Sequence, residues 1–293
     1  MPYMRKTVHL QQLTTFHIGG APVRYVHPRT EAGLLAALAE CRRASLPWRV
    51  LGGGSNLLVD EGRLPYAVIH VHAPGLDTVE RTSEASVRVG AGLPSGRLLT
   101  YCRDAGLGGL EFMAALPGTV GGAVAGNAGA WGKEVCNMVS RLRVITPEGK
   151  VAVIPHAEIE YSYRQTKLRG AVITEAEFHL DPRDPRLIGL QMTEYARARC
   201  ERHPMSERSA GCVFKNPPGV SAGKLLDECG LKGLKMGDAE VSVHHANFIV
   251  NRGKAAAADV LRLIEVMRAA VRNAFGIELE LEVRHWPARA NVA

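Results

Sequence analysis

Between residues 106 and 132 the chain reads GLGGLEFMAALPGTVGGAVAGNAGAWG, with glycine too dense for an ordinary helix or strand interior. Each glycine in a helix costs on the order of 0.5–1 kcal/mol relative to alanine, so a long loop is expected here. Loops of that length are uncommon in compact domains unless they serve a ligand. A second cluster, GGGSN at 52–56, follows the apolar run WRVL. Successive glycines let backbone N–H groups converge on an anion because no Cβ blocks the approach. Ser55 and Asn56 add side-chain donors, although a plain strand-to-strand turn would account for the same residues. Two glycine loops in one domain suit a ligand with a pyrophosphate and a large flat ring, FAD or another dinucleotide. VGAGLPSG at 89–96 spaces its glycines one residue too widely for the Rossmann fingerprint, and the P-loop pattern is missing. The expected fold is therefore neither of those.

The rest of the chain alternates helix and strand signals. Thr30 is placed to cap a helix with Leu34, Leu35, Leu38 and Cys41 on one face. Strands are expected at 66–71, 86–92, 141–146, 150–155 and 170–180, with a helix over about 95–105. DPRDPR at 181–186 is Pro-rich, charged and aperiodic, which marks a domain boundary. Beyond it come helices at about 186–202, 221–229 and 255–275, a short segment at 212–215, a strand at 247–250 and a last strand, ELELEV, at 278–283. The expected division is residues 1–182, in two subdomains of about 1–72 and 73–182, and residues 183–293, with the stretch at about 278–285 returning to the first domain's site.

Composition narrows the partners. A net charge of +7 over 293 residues favours anionic ligands. The basic residues are scattered and aromatics make up 5%, so phosphorylated small molecules are favoured over nucleic acid. None of the six cysteines forms a CxxC pair, and the adjacent His244 and His245 point apart on extended backbone; no metal site is expected. The chain has no apolar run of about 20 residues and MPYMRKTVHLQQL lacks a signal-peptide core, so a cytoplasmic protein with reduced thiols is expected, with no membrane span.

A few side chains stand out as chemically competent. Arg164, beside Tyr163, offers a planar fork for a carboxylate or phosphate, or is an ordinary surface arginine. In SAGCVFKNP, Cys212 offers a proton or a nucleophile and Lys215 a phosphate contact; a structural thiol is the commoner fate of such a cysteine. Glu278, Glu280 and Glu282 alternate with Leu279, Leu281 and Val283, and spacing alone does not single out one glutamate.

In order along the chain, TTFHIGG (14–20), LGGGSNLL (51–58), the 106–132 segment, YSYRQTKL (161–168), SAGCVFKNP (209–217), AGKLLDECGLKG (222–233), VSVHHANFIVN (241–251) and FGIELELEV (275–283) resemble the UDP-N-acetylenolpyruvoylglucosamine reductases, the MurB family. The resemblance implies an α+β fold: a vanillyl-alcohol-oxidase/PCMH-type FAD-binding domain of two subdomains and a C-terminal α+β substrate domain. It implies non-covalent FAD, held by Gly52, Gly53, Gly54, Ser55, Asn56 and Leu57 and by Pro117, Gly118, Thr119, Gly121, Gly122, Asn127 and Gly129. It further implies NADPH as hydride donor and UDP-N-acetylglucosamine enolpyruvate as substrate, in a monomer making peptidoglycan precursor. Arg164 and Glu282 would stabilise the aci-enolate, with Glu282 protonated as a hydrogen-bond donor, and Cys212 would deliver a proton to C2 where most relatives carry serine. Tyr163, Lys215 and Asn216 are the expected substrate contacts, with Arg208 a weaker candidate. The short spacing between Tyr163 and Cys212 matches the branch without a tyrosine-bearing loop over the substrate. A flavin-linked oxidase of the same fold is the alternative, and a non-enzymatic nucleotide-binding protein a more distant one.

Overall fold

A computed structural model describes residues 7–288. They form two compact units: Arg24–Gly53 with Tyr66–Ala198, and residues 7–23 and 54–65 with 199–288. This differs from a single cut at 182/183. Phe16, Ile18 and Leu58 pack into the hydrophobic core of the second unit, which draws two N-terminal segments into it. The helix that follows the Pro-rich stretch begins in one unit and ends in the other.

In the first unit, β2 (Trp48–Leu51) runs parallel to the end of β4 (Arg63–His70), and the sheet order is β1 (Ala21–Val26), β4, β2. Helix α1 (Glu31–Arg43) starts where the Thr30 hydroxyl accepts the Gly33 N–H at 3.0 Å, and it buries Leu34, Ala37, Leu38 and Cys41. A five-stranded antiparallel sheet follows the order Val151–Pro155, Val139–Ile145, Val172–His179, β6 (Ser86–Gly90), β5 (Val79–Ser83). Its apolar face and helix α2 (Ser95–Asp104) enclose a core that includes Val87, Val89, Leu98, Leu142, Val144, Ala176 and Phe178.

The second unit is built on a four-stranded antiparallel sheet, Ser209–Cys212, Phe248–Asn251, Ala239–Val241 and Lys235–Met236. The helix Ala257–Phe275 buries Val260, Leu263, Ile264, Met267 and Val271, the 3–4 spacing of a core-facing stripe. Gly276, at φ +70°, ends it in the left-handed conformation that glycine tolerates best. Among the described residues, no helix is long and apolar enough to cross a membrane.

Two sequence expectations need correction. The 106–132 stretch is not a plain loop: Val120–Ala125 forms helix α3, with the Thr119 hydroxyl accepting the Gly122 N–H at 3.3 Å. Thr119, Val120 and Val124 are buried, and this tertiary packing outweighs the poor helix propensity of the paired glycines. Residues 278–283 form no regular strand. They run beside the segment after Cys212, joined to it by an isolated bridge at Leu281 and Phe214 and by single backbone hydrogen bonds on either side, and the regular strand lies further on, at Arg284–Trp286.

Candidate functional site

The first glycine loop begins where β2 runs out at Leu51. A Cβ on Gly52 would lie 2.6 Å from the Thr119 hydroxyl, and one on Gly53 would lie 2.5 Å from the Gly118 Cα. The two glycine clusters therefore meet backbone to backbone, and glycine is required because the loops touch each other. Gly121 is similarly tight: its N–H donates to the Ala91 carbonyl at 2.8 Å, and a Cβ there would meet the Ala91 Cβ at 2.8 Å. By contrast Gly122 is exposed, with the Thr119 hydroxyl its nearest neighbour. The N–H groups of Gly53 and Gly118 have no hydrogen-bond partner among the described residues. Backbone donors of this kind suit the oxygens of a pyrophosphate.

The loop that follows α3 supports Arg164. Tyr163 and Arg164 form the tip of a two-residue hairpin between Tyr161–Ser162 and Gln165–Thr166. Arg164 sits at φ +61°, and its guanidinium lies 4.8 Å from the Tyr163 ring centre. It also lies against the Gly129 backbone, where a Cβ would come 3.0 Å from Nη1. Asn127, read from sequence as a cofactor contact, holds this arrangement together. Its side chain is fully buried; Nδ2 donates to Glu134 Oε2 at 2.8 Å and to the Ser162 carbonyl at 2.9 Å, and Oδ1 accepts the Cys136 N–H at 3.2 Å. The amide is thus committed inside the protein, two residues from Arg164. Thr166 adds a second tie, its hydroxyl donating to the Val124 carbonyl at 2.5 Å. Asn127→Leu should leave those partners unmatched at a cost of roughly 2–4 kcal/mol. Thermal unfolding should show it as a clear drop in Tm; an unchanged Tm would contradict the clamp.

The second unit carries the rest. Gly54, at φ +65°, leaves no room for a Cβ against the Leu13 carbonyl. Its own carbonyl accepts the Thr15 N–H at 3.1 Å, and the Thr15 hydroxyl donates to the Ser209 carbonyl at 2.7 Å. TTFHIGG therefore ties the end of the glycine loop to the strand that bears Cys212. Asn56 faces the other way along the chain: Nδ2 donates to the Glu282 carbonyl at 3.1 Å, and its carbonyl accepts the Arg284 N–H at 3.1 Å. Leu57 starts β3 (Leu57–Val59), which pairs in parallel with Arg284–Trp286.

Cys212 is half-buried at the end of a bulged strand that turns at Gly211, φ +80°. Asn247 pins the backbone beyond it: Oδ1 accepts the Phe214 N–H at 2.9 Å, and Nδ2 donates to the Phe214 carbonyl at 2.8 Å. The Val213 carbonyl accepts the Glu282 N–H at 2.8 Å, so Cys212 and Glu282 lie on neighbouring extended segments. Glu282 is half-buried, whereas Glu278 and Glu280 are exposed, a distinction that the alternating sequence hid. Lys215 Nζ pairs with Glu280 Oε1 at 2.5 Å, and Asn216 Oδ1 accepts the Ala222 N–H at 3.0 Å, capping the helix Ala222–Glu228. Among the described residues no group of His, Cys, Asp and Glu is arranged to hold a metal ion.

Sequence reasoning missed Thr15, Glu134, Thr166 and Asn247, whose roles come from pairings distant along the chain.

Comparison with known proteins bears on both units. An FAD-binding-domain family matches residues 22–154, and the UDP-N-acetylenolpyruvoylglucosamine reductase C-terminal-domain family matches residues 203–286. A UDP-N-acetylenolpyruvoylglucosamine reductase of Geobacter metallireducens is 41% identical over 272 residues, 92% of this chain and 90% of that protein. One from Heliobacterium modesticaldum is 40% identical over 274 residues, 92% of this chain and 87% of the relative. The crystal structure of UDP-N-acetylenolpyruvylglucosamine reductase (MurB) from Thermus caldophilus superposes with a TM-score of 0.83 at 38% identity, covering 97% of this chain and all of that one. With an α+β framework, an FAD-binding domain and relatives alike over nearly their full length, the chain belongs to the UDP-N-acetylenolpyruvoylglucosamine reductase (MurB) family.

Proposed function

We propose that this protein is an NADPH-dependent, FAD-containing reductase that converts UDP-N-acetylglucosamine enolpyruvate to UDP-N-acetylmuramate for peptidoglycan precursor synthesis, acting as a cytoplasmic monomer. The observation that carries the reading is identity of about 40% to reductases of that name across both units, rather than in the FAD-binding part alone. Bound FAD supplies hydride transfer, from NADPH to C3 of the enolpyruvyl vinyl ether. The residues of this chain do the rest.

Backbone N–H groups of Gly53 and Gly118 bind the cofactor's pyrophosphate, and Ser55 and Asn56 line the same loop. Arg164 brings a permanent positive charge to the substrate carboxylate as negative charge builds there. Glu282, acting protonated, donates a hydrogen bond to the same group. The Cys212 thiol gives its proton to C2, completing the reduction. Tyr163, Lys215 and Asn216 contact the sugar nucleotide; for Lys215 this means leaving its exposed partner Glu280, and the contact is of the surface kind worth little on its own. The cofactor-binding role falls mainly to residues 1–182 and substrate binding to 183–293.

Nothing in GGGSNLL or in residues 106–132 provides a His or Cys to attach flavin covalently. Boiling and precipitation should therefore release free FAD into the supernatant. A yellow pellet would point instead to a covalently flavinylated oxidase.

A further inference from the structure

Behind the first glycine loop, still within the first unit, lies a cluster of rings that the chemistry above leaves unused. His70 ends β4 and is buried; its ring centre lies 5.2 Å from that of His27 and 5.4 Å from that of His72. Its Nδ1 lies 2.6 Å from the Tyr25 hydroxyl and its Nε2 lies 3.1 Å from the Gly52 carbonyl. The carbonyl can only accept, so Nε2 carries a hydrogen. Nδ1 then either accepts from the tyrosine in a neutral ring or donates to it in an imidazolium. Burial, reinforced by His27 and His72 alongside, pushes the His70 imidazole down to about 4, so at neutral pH the ring is uncharged. The neighbouring histidines are anchored separately, His27 Nε2 to the His72 carbonyl at 2.9 Å and His72 Nδ1 to the Ala73 carbonyl at 2.9 Å.

The consequence lies in the next peptide. Two glycines in succession leave the Gly52–Gly53 peptide plane free to rotate. In a trans peptide the C=O and N–H point in opposite directions, so a carbonyl held on His70 turns the Gly53 N–H to the opposite side. That N–H has no partner among the described residues. We infer that Tyr25 and His70 form a positioning relay: the phenol donates to Nδ1 and holds the neutral ring in place, the Nε2–H anchors the Gly52 carbonyl, and the Gly53 N–H is thereby aimed at the bound pyrophosphate. The relay rests on the FAD reading and adds to it two residues outside the glycine loops.

Two measurements test it. Nitrogen-15 NMR of histidine-labelled wild-type protein at neutral pH should show His70 as the neutral Nε2–H tautomer; the Nδ1–H tautomer or an imidazolium would overturn the relay. Apoprotein should then be titrated with FAD, following flavin fluorescence. His70→Leu should weaken FAD binding by about tenfold or more, because the carbonyl loses its anchor. His70→Gln, which restores an amide N–H donor, should bind within about threefold of wild type. Leu binding as tightly as wild type, or Gln binding as weakly as Leu, would overturn the assignment, and the NMR arm decides should the Leu variant fail to fold. Wild-type protein that takes up no FAD would sink the flavin reading itself, a result distinct from equal binding by all variants.

Discussion

Replacing Cys212 with alanine should lower overall turnover by about 10²–10⁴-fold while leaving reduction of the flavin by NADPH at its wild-type rate. The range is that of a positioned general acid removed from a proton-transfer step. The two half-reactions should separate, because in the proposed mechanism the thiol acts only after hydride has reached the substrate. Cys212→Ser should retain turnover within about tenfold, since a hydroxyl is of similar shape and also carries a transferable proton. The backbone around the side chain should be undisturbed in either variant. It is fixed independently by Asn247 on Phe214 and by the Val213 carbonyl that accepts the Glu282 N–H. Rapid-mixing absorbance at the flavin band, with and without the enolpyruvyl substrate, reads both steps. Normal turnover in the alanine variant would remove Cys212 from the chemistry.

The second large effect should come from one methyl group. Gly53→Ala would put a Cβ 2.5 Å from the Gly118 Cα and 3.1 Å from its carbonyl carbon, so backbone and not a flexible side chain would have to yield. Overpacking of this kind costs roughly 1–3 kcal/mol, and here it would separate the two loops whose N–H groups are to hold the pyrophosphate. Tm and FAD content should fall together. Gly96→Ala is the matching control: Gly96 lies in α2 with open space around its Cβ position and should gain up to about 1 kcal/mol from the lower backbone entropy of alanine. Equal behaviour of the two variants would show that the loop–loop contact does not matter.

Much of the framework was legible because local chemistry decided it. The Thr30 cap and the Leu34–Leu38–Cys41 stripe fixed α1, and the Val260–Leu263–Ile264–Met267–Val271 stripe closed by Gly276 fixed the last helix. The glycine clusters read as ligand loops from their composition alone; their missing side chains also let the two loops pack on each other, with the Gly53 and Gly118 N–H groups left without a partner among the described residues. What stayed hidden was tertiary. No periodicity relates Tyr25 and His70 to Gly52, or Thr15 to Ser209, and Glu282 differs from Glu278 and Glu280 only once the chain has folded beside Val213. Asn127 is a cofactor contact only by the family resemblance, and nothing local in the sequence shows that its side chain is buried and bonded to Glu134, Ser162 and Cys136. The α3 helix escaped notice because propensity argues against it and burial of Val120 and Val124 argues for it.

The most direct test follows NADPH absorbance with purified protein, first alone and then with UDP-N-acetylglucosamine enolpyruvate. Alone, the protein should oxidise about one NADPH per bound flavin and slow sharply; with the sugar nucleotide it should turn over continuously and release UDP-N-acetylmuramate. A colourless protein, or NADPH consumption that ignores the enolpyruvyl substrate, would contradict the assignment.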